Sequence, residues 1–90
     1  MAQAIHQPTA TIVGLATAEL ILAIQKEFPQ VRLVPCEPIE GEDIHLTAYL
    51  PIRLEERLAV LDRIVEIKIA VQDKYDVYAV VAVIPEPGQA

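Results

Sequence analysis

One histidine in this chain stands among carboxylates. Glu37, Glu40, Glu42 and Asp43 precede His45 in the segment 35–43 and just beyond it. Carboxylate oxygens with one imidazole nitrogen are the donors that hard or borderline divalent ions accept. Glu37, Glu40, Glu42, Asp43 and His45 are therefore the candidate metal set. The competing reading is a solvated acidic turn that keeps a hairpin soluble. Two prolines stiffen PCEPIEGED (35–43), and carboxylates on a stiff loop bind an ion only if they converge.

His45, Thr47 and Tyr49 recur at every second residue. In a strand that spacing puts them on one face, which makes them a candidate surface for a small ligand. The same residues equally fill a sheet face or a dimer seam. Cys36 is the single cysteine, so no disulfide framework or zinc-type spacing is available. A reactive thiol needs a cation close by; the nearest in sequence is Arg32, and Glu37 is adjacent, so a packed thiol is expected. Glu66-x-Lys68 has the form of half a PD-(D/E)xK nuclease core, whose chemistry needs both groups beside one metal. On a helix they stand about 200° apart and act separately. There is no serine, the three glycines are isolated at 14, 41 and 88, and His6 lies in an N-terminal tail. Neither a serine nucleophile nor a glycine-rich phosphate loop is present, and no cofactor is expected.

Composition narrows the partners. The net charge is −6, and the seven Lys and Arg residues are scattered. Phosphate backbones and anionic lipid surfaces need clustered cations, so neither nucleic acid nor membrane is an expected partner. The longest apolar run, Ile12 to Ile24, is broken by Thr17 and Glu19 and is too short to span a bilayer. It also lacks the basic region and cleavage site of a secretory signal. A cytoplasmic protein is the expectation.

The elements that position these residues follow from periodicity. Residues 1–8 and 88–90 read as tails around one domain at 9–87. TATIVGL (9–15) is β-branched and suits either a short edge strand or the first turns of the next helix. Leu20, Ile21, Ile24 and Phe28 have helical spacing, with Thr17 as N-cap and Pro29 as stop. Val31–Val34 reads as a strand ending at Pro35. Ile44, Leu46, Ala48 and Leu50 alternate with His45, Thr47 and Tyr49, and this strand forms an antiparallel hairpin with the one before the connector. From Leu54 to Tyr75 two apolar stripes run side by side. Leu54, Leu58, Leu61, Val65 and Ile69 form one; Val60, Ile64, Ile67 and Val71 form the other. Val65–Val71 also alternates as a strand, but no Gly, Pro, Asn or Ser interrupts 52–71, which favours one long helix. Val77–Ile84 is apolar on both faces, as in a strand covered on both sides.

The order is (β)αββαβ. With 9–15 as a strand, this is a ferredoxin-like α+β sandwich, an antiparallel sheet with helices on one face. From Thr17 to Pro87, element order and the strand-plus-proline ending also resemble the cytoplasmic C-terminal domain of cation-efflux transporters. That family's His and Asp metal ligands have no counterpart here beyond His45.

Hydrophobic residues make up 53% of the chain and aromatic ones only 4%, more aliphatic surface than one small core needs. The excess points to a homodimer, with Val60, Ile64, Ile67, Val71, Val80 and Ile84 as the expected interface. The functional expectation is a non-catalytic, self-associating interaction or regulatory module with a possible protein partner. The alternative is a small-molecule or divalent-metal sensor using the sheet face or the acidic connector.

Overall fold

The computed structural model describes residues 8–51 and 54–86, except the side chains of 54 and 55. The elements run α1 (Ala10–Glu27), β1 (Arg32–Cys36), β2 (Ile44–Leu50), α2 (Leu54–Tyr75) and β3 (Ala79–Pro85). Of the expected tails, 1–8 and 88–90, all but Pro8 lie outside the described residues. The observed αββαβ order is the one on which the resemblance rests, and topology of itself carries no function.

Helix α1 begins earlier than Thr17. Thr9 is the N-cap, its Oγ1 accepting from the Ile12 N–H at 3.2 Å, so residues 10–15 are helix and not an edge strand. Thr17 lies within the helix, where its hydroxyl donates to the Val13 carbonyl at 2.7 Å. Ala16, Leu20 and Ile24, four residues apart, form the buried stripe. At the other end Phe28 N–H closes on the Ile24 carbonyl before Pro29.

Strand β1 continues through Pro35 to Cys36, two residues beyond the expected end at Val34. An edge strand tolerates this, because a proline whose missing N–H would face solvent breaks no ladder bond. β1 and β2 form the expected antiparallel hairpin, closed by a turn in which Gly41 has φ +86°. Helix α2 is continuous over 22 residues, so 64–71 is helix. It ends at Asp76, whose φ of 55° is a conformation that short polar side chains tolerate.

The sheet has the order β1-β2-β3, antiparallel between β1 and β2 but parallel between β2 and β3. The all-antiparallel ferredoxin-like arrangement is therefore not formed. The cause lies at 9–15. With those residues in α1, no first strand separates β2 from β3, and β3 pairs directly with β2. Two strands joined through a helical crossover run parallel.

Both helices cover one side of the sheet. Ile44, Leu46, Ala48 and Leu50 of β2, with Leu33, Ala79, Val81 and Val83, meet Leu20, Ile24, Ile64 and Val71 in one core. Each fully buried Leu or Ile contributes about 1.5–3 kcal/mol. The helices are also tied at both ends. Arg63 Nη2 donates to Glu27 Oε2 at 2.6 Å, Lys74 Nζ to Glu19 Oε1 at 2.9 Å, and the Tyr75 hydroxyl to the same oxygen at 2.7 Å. These pairings set α1 and α2 antiparallel. Among the described residues no helix is long and apolar enough to cross a membrane.

Candidate functional site

The other face of the sheet carries no helix. The register sets its residues in three cross-strand rows: Arg32–Tyr49–Ile84, Val34–Thr47–Ala82 and Cys36–His45–Val80. All three members of the expected ligand surface, His45, Thr47 and Tyr49, stand here on the central strand. They share it with Val80 and Ile84 from the expected interface.

The polar groups of this face are engaged with one another. Arg32 lies over the Tyr49 ring, its guanidinium carbon 4.2 Å from the centroid, and reaches Glu86 at 3.4 Å. The Cys36 thiol and Thr47 hydroxyl are 3.3 Å apart. His45 Nδ1 lies 2.8 Å from Glu42 Oε1, and that oxygen also accepts from the Ile39 N–H at 3.0 Å. The Ile39 amide and then His45 hold the Glu42 carboxyl below the usual range.

The acidic connector does not gather into one cluster. Glu42 is occupied as described, and Asp43 Oδ2 accepts from the Tyr78 N–H at 2.8 Å, fastening the connector to the start of β3. Glu37 and Glu40 are exposed. Among the described residues no three His, Cys, Asp or Glu side chains are placed to hold one ion. Two of the four acids are thus used to fold the connector back.

A cavity of about 180 Å³ opens between α1 and the hairpin, lined by Val13, Thr17, Pro35, Cys36, Ile44 and His45 among others. It is smaller than the roughly 300–1,000 Å³ of ordinary ligand pockets. Glu66 and Lys68 are both on α2, and Glu66 pairs with Arg63 at 3.0 Å, so the strand-borne nuclease arrangement is not formed.

The interface residues divide. Val60, Ile64, Ile67 and Val71 are buried in this chain's own core, whereas Val80 is half-buried and Ile84 is 41% exposed. On α2 the other apolar stripe is outside: Leu58 is 71% exposed, Val65 39% and Ile69 46%. Sequence reasoning drew both stripes but assigned the wrong one to the surface. The usable signal was the row Asp62, Glu66 and Asp73, which lies on the far side of the helix from Val60–Val71 at about 100° per residue. A helix turns its acidic row to water, and the stripe opposite that row is the core.

No family model matches this chain, and neither the curated proteins nor the solved structures compared with it give a match.

Proposed function

We propose that this chain is a non-catalytic, self-associating α+β module that acts through protein–protein contact, as a regulatory or accessory subunit. One observation carries the reading. After the core is complete, Leu58, Val65 and Ile69 on α2 and Val80, Ala82 and Ile84 on the sheet remain wholly or partly outside it. Grouped apolar surface of this kind is characteristic of interaction sites. The polar groups beside it are satisfied internally, with His45 on Glu42 and Cys36 on Thr47, as befits a face that packs.

A second reading, a small-molecule or divalent-metal sensor, draws on the cavity beside His45 and on the connector carboxylates. Thermal unfolding separates the two. For a self-associating chain the melting temperature rises with chain concentration, because mass action favours the folded oligomer. For the sensor it is independent of chain concentration and rises with added magnesium, manganese or a small ligand. A melting temperature flat across a hundredfold range of chain concentration contradicts the first reading.

A further inference from the structure

The sheet has two edges, and they are built differently. β1 is five residues long, begins with a charged Arg32 and contains Pro35, features that blunt an edge against pairing. β3 has none of them until Pro85, its last residue. From Val77 to Ile84 the chain is uncharged, and among the described residues no strand pairs with its outer edge.

The groups on that edge can be identified. The Ile44 N–H donates to the Tyr78 carbonyl at 3.2 Å and the Glu86 N–H to the Leu50 carbonyl at 3.0 Å. Even-numbered residues of β3 therefore bond to β2, and Ala79, Val81, Val83 and Pro85 turn their backbone groups outward. The Ala79 N–H is taken by Gln72 Oε1 at 2.9 Å, and Pro85 has no N–H. The outward donors that remain are those of Val81 and Val83, with a carbonyl beside each.

We infer that a second copy of this chain pairs with that window, β3 against β3 in antiparallel sense about a two-fold axis at Ala82. The inference rests on the self-association proposed above and names its surface. Under this axis each Val81 meets the partner's Val83, and the window satisfies itself with four N–H···O bonds, as an isologous interface requires. Moving the axis to Val81 would bring Asp76 into line with the partner's Glu86, two like charges.

Helix α2 extends the same surface. Gln72 touches the β3 edge, and Val65 and Leu58, seven and fourteen residues earlier, lie on the same side of the helix, with Leu61 and Ile69 flanking them. Ala82 is about 10 Å along β3 from Ala79. About 10 Å back along α2 from Gln72 is roughly seven residues, which reaches Val65. The axis at Ala82 therefore also passes Val65, where the exposed apolar stripe faces its own image. The bonding window is closed symmetrically about Ala82, by the engaged Ala79 N–H at one end and by Pro85 at the other, and this match of the window to itself selects a second copy as the occupant.

Sedimentation equilibrium of the full chain and three variants tests this. Val81→Pro removes an outward donor and leaves the β2–β3 ladder whole; the dimer is expected to weaken at least about tenfold with an unchanged far-ultraviolet circular dichroism spectrum. Val65→Glu, which sets two carboxylates face to face at the axis on a position already 39% exposed, weakens it too. Val65→Glu decides the matter should Val81→Pro not fold. A dimer indifferent to Val81→Pro and to Val65→Glu overturns the inference. If such a dimer is instead lost in Ile84→Lys, self-association stands and its seat is the uncovered sheet face. A wild-type chain that stays monomeric overturns both.

Discussion

At the scale of single residues, Glu19 is the joint between the helices. It accepts from the Tyr75 hydroxyl and from Lys74, and these bonds hold its carboxyl below the ordinary value of 4.5. A carboxyl made more acidic by folding adds stability above its unfolded pKa and loses it as pH falls through the lowered one. Lys74 and Tyr75 are both raised above their ordinary values of 10.5 and 10.0, chiefly by Glu19. Their contribution is complete below those values and is lost as pH rises through the raised ones. Stability is therefore expected to be level between about pH 5 and 10 and to fall on both sides. Glu19→Gln should shallow both limbs, read as urea midpoints at fixed chain concentration; limbs as steep as wild type would contradict this. Of the chemistry-bearing residues, the shared face of His45, Thr47 and Tyr49 was legible because alternation fixes a strand's faces. The partnership of His45 with Glu42 was not, because it depends on how the Gly41 turn folds the connector back.

At the scale of elements, the boundary that mattered was the start of α1. TATIVGL is β-branched, and β-branched residues carry only a small helix penalty, so composition decided nothing. Long-range packing decided it. Ile12, Ala16, Leu20 and Ile24 repeat every fourth residue, and the last three are buried to 0%. Thr9 caps the helix that this stripe demands. Thr9→Ala should cost about 1 kcal/mol of unfolding free energy, measured by urea denaturation, whereas an unchanged midpoint would indicate a helix that begins near Thr17. Helix α2 shows the reverse case. Its continuity was readable from the lack of breakers, but the choice between two adjacent apolar stripes needed the sheet. Val60, Ile64, Ile67 and Val71 enter the core beside α1 and β3, which leaves Leu58, Val65 and Ile69 to solvent.

At the scale of the molecule, one local event sets the architecture. Placing residues 10–15 in α1 removes the strand that would have separated β2 from β3, so the sheet has three strands and one parallel pair. A three-stranded sheet covered on one side leaves a face and two edges, and only the β1 edge is blunted. Much of the aliphatic excess visible in the composition lies on the flank of α2, along β3 and across the uncovered face, with Leu15 and Leu22 of α1 and Ile39 of the connector exposed elsewhere. Whether a second copy covers it is the central claim, and the mass of the full-length chain at micromolar concentration tests it most directly. Sedimentation equilibrium is predicted to give twice the 9.9 kDa of one chain, falling toward one chain in Val81→Pro. A single wild-type species at 9.9 kDa across that range would contradict it.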